Sequence, residues 1–146
     1  MMIASAHDAV NVIALLIDHG ADVDATDRAT ATSGRLALCY AALMNQLQAV
    51  KLLINKAANI EHKAVTGSTA LMMAAQNNAN DVMQLLLQHG ANIEAIDDNK
   101  QTALFYASRT NQARAVRFFI KNGADIGHTS VDSCTALMAA AAEKCC

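Results

Sequence analysis

The chain has 146 residues, a formal net charge of −2 and an apolar fraction of 53%. This length suits a single domain or a short repeat array, and no apolar run reaches the roughly 18 residues that span a bilayer. The near-neutral charge argues against bulk nucleic-acid binding. Residues 1–4 lack the basic region and long apolar stretch of a signal peptide, so we expect a cytoplasmic protein with no membrane partner.

The first predicted element is a pair of helices followed by an extended finger. Its second helix carries the apolar triplet Leu15-Leu16-Ile17, which we expect in the core, and Gly20 is typical of a left-handed helix C-cap. The finger spans 16 residues from Gly20 to Leu36, against 12 from Gly90 to Thr102. The extra four lie within residues 25–33, where they form either a neutral surface insertion or a contact loop.

The later elements return every 33 residues. Thr-Ala-Leu begins at Thr69, Thr102 and Thr135, and each threonine is predicted to cap a first helix with its hydroxyl. Asparagines stand at the turns between first and second helices, where a left-handed residue is expected: Asn45, Asn78 and Asn111. The second helices carry apolar triplets predicted to be core, namely residues 52–54, 85–87 and 118–120. They end at Ala57, Gly90 and Gly123, and the following fingers are anchored by Ile60, Ile93 and Ile126.

These linked motifs resemble the ankyrin repeat, whose signature is T-P-L-H-x-A-A followed by an apolar helix and G-A-D-V-N. Residues 69–75 match the first part and residues 85–94 match the second. Alanine replaces the family's proline, which keeps good helix propensity. The family's histidine becomes apolar at Met2, Cys39, Met72, Phe105 and Met138, so packing is expected to replace its polar network.

The resemblance implies an all-α repeat solenoid of stacked helix-turn-helix units with β-hairpin-like finger loops. We expect one array over residues 1–146, with units at roughly 1–33, 34–66, 67–99 and 100–132 and a partial unit at 133–146. Neither terminal unit shows the polar outer face that capping requires. The chain is therefore expected to be a piece of a longer array, or to have an open side covered by a partner or another copy.

No catalytic constellation emerges from the sequence. His19 and His89 precede helix-ending glycines, which suits a helix-end role rather than a metal-ligand role. Glycines are too dispersed to cradle a phosphate, so we expect no enzyme activity, cofactor or metal. The cysteines Cys39 and Cys134 lie too far apart to pair, which predicts thiols in a reducing compartment. Cys145-Cys146 resembles a prenylation signal that is read through a GTPase domain, so two thiols are the preferred interpretation.

The resemblance implies a binding surface on the concave face, formed by finger tips and first helices. The matching variable positions, which are the candidate partner-binding residues, are Lys63, Val65, Thr66, Ser68, Gln76, Asn77, Ile96, Asp98, Asn99, Gln101, Arg109 and Thr110. They predict a non-catalytic module that binds a protein. The alternative is a regulatory or targeting segment of a larger enzyme, channel or effector protein. A further alternative is self-association through uncapped ends. Arg114, Arg117 and Lys121 line one helix face and predict a solvated back surface.

Overall fold

The computed structural model of the chain describes residues 2–25 and 37–141. The helices in those ranges are α1 (Met2–Asp18), α2 (Ala37–Leu43), α3 (Leu47–Asn55), α4 (Ala70–Gln76), α5 (Asn80–Gln88), α6 (Ala103–Arg109), α7 (Ala113–Lys121) and α8 (Ala136–Ala141). Those residues contain no strand, apart from one antiparallel bridge between Thr129 and Thr135. The predicted insertion after residue 25, the Leu36 helix start and the terminal cysteines lie outside the described residues.

The helices stack in two parallel rows. The first helices α2, α4, α6 and α8 pack on one another in order, and so do the second helices α1, α3, α5 and α7. The second, third and fourth units also pack their own two helices together. This is the arrangement of an all-α solenoid, in which each unit buries its apolar side against its neighbours.

Left-handed residues end both helices of each complete unit. Asn45, Asn78 and Asn111 have φ of 53°, 56° and 57°, as predicted. In each case the backbone N–H three residues beyond the helix donates to a carbonyl five residues earlier, as Gln112 N does to Ala107 O at 2.8 Å. Gly90 and Gly123 repeat this pattern after the second helices, and Ala57 does so with φ 64°. Ala57 therefore ends its helix in the left-handed conformation, as predicted for the position that glycine holds in the other units.

The threonine caps are confirmed at two of three positions. Thr102 Oγ1 accepts from Phe105 N at 3.4 Å and Thr135 Oγ1 accepts from Met138 N at 3.3 Å. Thr69 has the extended backbone of an N-cap, and its backbone N–H faces the Met72 sulfur at 3.4 Å. Its hydroxyl, however, is buried without a hydrogen bond to the described residues.

The first unit does not contain the predicted pair of helices. Residues 2–18 form the single helix α1, and no left-handed residue interrupts it. The position corresponding to Asn45 is Asp8, within a segment that has no glycine and several good helix formers. The helix therefore continues where later units turn.

The core prediction holds for the central residue of three triplets and fails at the two ends of the array. Leu53, Leu86 and Phe119 are fully buried, and their neighbours in the triplets are mostly half-buried. Leu15 and Leu16 are exposed because no first helix among the described residues covers α1, and Ile120 is exposed on α7. The finger anchor Ile126 is likewise exposed, whereas Val23, Ile60 and Ile93 pack against the core.

The position that holds histidine in the family is apolar and buried in the complete units. Cys39, Met72 and Phe105 are buried, so packing replaces the polar network there as predicted, whereas Met138 is exposed. Cys134 is disulfide-bonded, contrary to the expectation that the chain contains thiols alone.

Candidate functional site

Each finger folds as a short hairpin whose tip needs a left-handed residue. Asp97 N donates to Gln101 O at 3.1 Å and Lys100 N donates to Asp97 O at 3.0 Å. The tip residues Gly67, Lys100 and Ser133 have φ of 74°, 56° and 60°. Two of these are not glycine, so the pairing around them must offset a penalty of roughly 1 kcal/mol each.

Neighbouring fingers are hydrogen-bonded to one another. Asp98 N donates to Thr66 O at 3.2 Å, and Val131 N donates to Asn99 O at 3.0 Å one period later. At Gly67 a Cβ would lie 2.6 Å from Asp98 N, a distance that side chains do not tolerate. The close approach of the two fingers therefore depends on glycine at this tip.

Acidic side chains at the finger bases also tie unit to unit. Glu61 Oε1 accepts from Asn92 N at 2.9 Å, and Glu94 Oε1 accepts from Asp125 N at 2.8 Å. Asp24 accepts from Asn59 N in the same way at 3.1 Å. The fingers are consequently fixed at the tip and at the base.

Asp97 is a buried carboxylate that joins a finger to a first helix. It is 5% exposed, and one oxygen accepts from Asn99 N at 2.9 Å and from Gln101 N at 2.7 Å. The other oxygen accepts from the Tyr106 hydroxyl at 2.9 Å. A buried carboxylate needs such donors to replace water, and here they fix the 96–101 finger against α6.

Tyr106 connects the buried Asp97 carboxylate to the exposed side chain of Arg109. Burial raises the pKa of the Tyr106 hydroxyl well above its ordinary value, and the Asp97 carboxylate raises it further. The Arg109 guanidinium carbon lies 5.0 Å from the centre of the Tyr106 ring, which is a cation–π contact. Arg109 is exposed and forms no salt bridge with the described residues, so its charge is available to a partner.

Two adjacent units enclose a polar pocket of about 270 Å³ around these groups. Its walls come from the fingers at residues 63–68 and 96–101 and from the helices α4 and α6. We call the surface formed by these two fingers and by α4 and α6 the finger face. The lining side chains are mostly polar and include Gln76, Asn99, Tyr106 and Arg109. Such a pocket offers both hydrogen-bond donors and acceptors around one exposed cation, Arg109, and one buried carboxylate, Asp97.

The structure brings half of the predicted partner-binding residues together in this pocket, namely Thr66, Ser68, Gln76, Asn99, Gln101 and Arg109. Ser68 and Gln101 are buried, however, so little of either side chain reaches solvent. The others do not line it: Lys63, Val65, Asn77, Ile96, Asp98 and Thr110. Lys63 Nζ donates to Ile96 O at 2.8 Å, and Asn77 Nδ2 donates to Leu43 O at 2.7 Å.

Sequence reasoning missed Asp97 and Tyr106, the two residues that organise the pocket. Asp97 had a usable signal, because an aspartate that opens a polar turn accepts hydrogen bonds from amides two residues on. Tyr106 had a weaker signal, since a tyrosine within an alanine-rich helix commonly needs a partner for its hydroxyl when buried.

No separate chemical site accompanies this pocket in the part of the chain that the structure describes. Within residues 2–25 and 37–141, no three His, Cys, Asp or Glu side chains are grouped to hold a metal ion. Over the same ranges, no helix has the length and apolarity to cross a bilayer. His19 and His89 each place Nδ1 against a carbonyl of the preceding helical turn, at 2.7 and 2.9 Å.

The stacked helix pairs, left-handed turns and paired fingers define a helical repeat protein. The family model for ankyrin repeats, in three copies, matches residues 1–64 and 55–130. The chain therefore belongs to the ankyrin repeat family, whose members are in general protein-interaction modules and typically non-catalytic. No curated protein matches the chain in a search of whole sequences.

Proposed function

We propose that the chain is a non-catalytic module that binds a protein partner on the finger face, with the Arg109 pocket at the centre of the contact. One observation carries this proposal. Arg109 is exposed, has no salt bridge with the described residues and lies over the ring of Tyr106, whose hydroxyl donates a hydrogen bond to Asp97. Arginine and tyrosine are the residue types most enriched at binding hot spots.

The rigidity of the finger face supports the same proposal. Fingers 63–68 and 96–101 are bonded to each other and to α6, so few backbone conformations are lost when a partner binds. A pre-organised surface lowers the entropic cost of association. Residues that the sequence places here but that lie outside the pocket, such as Val65 and Asp98, would form the rim of the contact.

The chemistry of the pocket favours an acidic segment as the group bound there. A carboxylate can accept two parallel hydrogen bonds from one guanidinium, and Gln76 and Asn99 offer further donors. The formal net charge of −2 favours a protein ligand over a nucleic acid.

The alternative function, a regulatory or targeting segment of a larger enzyme, channel or effector protein, would use the same surface. The coding sequence on either side of these 146 residues distinguishes the two functions, because a catalytic or channel domain encoded there would make the chain a segment of a larger protein. The cytoplasm remains the proposed location, although the Cys134 disulfide favours an oxidising environment. Alkylation of thiols in the chain as it is isolated from cells would show which environment it meets.

A matched pair of variants tests the proposal. Arg109→Ala and Arg114→Ala remove the same charge from exposed helix positions, one on the finger face and one on α7. The chain and both variants are used as bait, and captured proteins are identified by mass spectrometry. We expect Arg114→Ala to capture the same partner as the original chain and Arg109→Ala to lose at least tenfold in affinity. A partner retained by Arg109→Ala and lost by Arg114→Ala would place the binding surface on the second helices instead.

A further inference from the structure

The helix α1 exposes residues that every complete unit buries. Leu16 is 57% exposed, whereas Phe119 at the same position of the last complete unit is 0% exposed. Val12 is likewise exposed, whereas Val82, its counterpart in α5, is buried. In complete units these positions belong to the buried core, and the helix that carries them packs on the first helix of the same unit. Since α1 is continuous, it is a second helix with no first helix beside it among the described residues.

The helix α8 has the opposite deficiency. Leu137 is 77% exposed and Met138 is 51% exposed, whereas Leu104 and Phe105 at the same positions of α6 are each 2% exposed. In complete units the second helix packs against the first helix that carries these positions. Within the described residues, α8 is therefore a first helix with no second helix beside it.

An apolar groove of about 710 Å³ lies where that second helix would pack. Its floor and walls are formed by α7, the last finger and α8, and the main apolar side chains are Val116, Ile120, Ile126 and Leu137. The α7 side chains belong to a surface that recurs along the array. Val116 and Ile120 hold the positions of Ile13 and Ile17, through which α1 packs against the core.

We propose that two copies of this chain associate head to tail, with α1 of one copy lying in the groove between α7 and α8 of the other. The exposed face of α1 supplies the second helix that α8 lacks, and α8 supplies the first helix that α1 lacks. The hybrid unit then buries Leu16 and Leu137 as the complete units bury Phe119 and Leu104. Apolar surface at positions that are buried elsewhere in the same array drives the association.

The charges at the two ends favour this orientation. The helix α7 exposes Arg114, Arg117 and Lys121, and Arg117 borders the groove. The segment after α1 exposes Asp22, and Asp18 at the end of α1 is exposed and paired with Lys56 of the same chain. Opposite charges at the two ends increase the rate of productive encounter and disfavour pairing of like ends.

Head-to-tail contact uses two different surfaces, so it does not close on itself in a dimer and extends to longer oligomers. We therefore expect the mass measured by light scattering and sedimentation velocity to rise with concentration, in buffer that contains a reducing agent. Leu16→Glu removes the α1 surface and Ile120→Glu removes the groove. Both side chains are more than half exposed, so the fold tolerates both changes, and circular dichroism melting checks this. Met44→Glu is the matched control, since Met44 is an exposed apolar side chain after α2, away from α1, α7 and α8 in the chain.

Mixing the two variants is the decisive arm of the experiment. Each variant alone should be monomeric, with association weakened at least tenfold, whereas Met44→Glu should associate as the original chain does. An equimolar mixture of Leu16→Glu and Ile120→Glu should form dimers and nothing larger, because each copy keeps one intact surface. A chain that stays monomeric at all concentrations, a variant that still associates alone, or a mixture that stays monomeric would each overturn the proposal.

Discussion

Asp97→Ala tests the account of how the finger face is held in place. The substitution removes the carboxylate that accepts from Asn99 N, Gln101 N and the Tyr106 hydroxyl. It introduces no new bulk and leaves the finger backbone free to keep its turn. Its effect on stability therefore reports the hydrogen bonds rather than a steric conflict.

The size of the effect follows from the burial of the three donors. Gln101 and Tyr106 are buried, whereas Asn99 is exposed and its amide can turn to water. Two buried donors without a partner cost about 1–3 kcal/mol each. The loss is partly offset, because the variant no longer desolvates a carboxylate on folding. We expect Asp97→Ala to lower the free energy of unfolding by about 3 kcal/mol.

Urea denaturation followed by circular dichroism measures this change, and Tyr106→Phe completes a double-mutant cycle. Removing the hydroxyl removes one of the orphaned donors, so the double variant should lose less than the sum of the single losses, by at least about 1 kcal/mol. A loss under about 1 kcal/mol for Asp97→Ala, or additive losses in the cycle, would refute the role given to this carboxylate.

Two further predictions concern the backbone and the titration of the site. Ala57→Gly should raise the free energy of unfolding by up to about 1 kcal/mol, because Ala57 has a left-handed φ of 64° and glycine removes that penalty; a lower urea midpoint for the variant would contradict this. The raised pKa of Tyr106 means that the folded chain keeps its proton while the unfolded chain ionises near pH 10. Its contribution to stability is therefore complete below about pH 10 and falls as pH rises further. Tyr106→Phe should flatten that fall, and an equally steep fall in the variant would show that another group causes it.

The sequence predicted the fold where one unit repeats another and failed where a unit departs from the pattern. Asn45, Asn78 and Asn111 share a register position and a left-handed φ, so one turn predicted the others. Asp8 holds the same position in the first unit, yet α1 runs through it. The 33-residue period predicts only what the units have in common, whereas the continuation of α1 depends on the helix propensity of its own residues.

The candidate site was predictable in outline and not in detail. The register placed Gln76, Asn99 and Arg109 on one surface, and the structure gathers them in one pocket. The repeat position alone did not predict exposure. Ser68 and Gln101 hold a position whose residue type differs between units, which suggested an exposed site, yet both side chains are buried. Asp97 was missed for a related reason. A bond between a finger and a helix depends on how the finger folds back, and the spacing along the chain does not contain that information.

Hydrogen exchange with and without the captured partner tests whether the finger face is the binding surface, because it maps the contact along the backbone. We expect slower exchange in residues 63–68 and 96–101 and at the C-terminal ends of α4 and α6 when the partner is bound. Exchange in the middle of α5 and α7 should change little. Protection confined to α5 and α7, with unchanged exchange in both fingers, would contradict the assignment of the finger face as the binding surface.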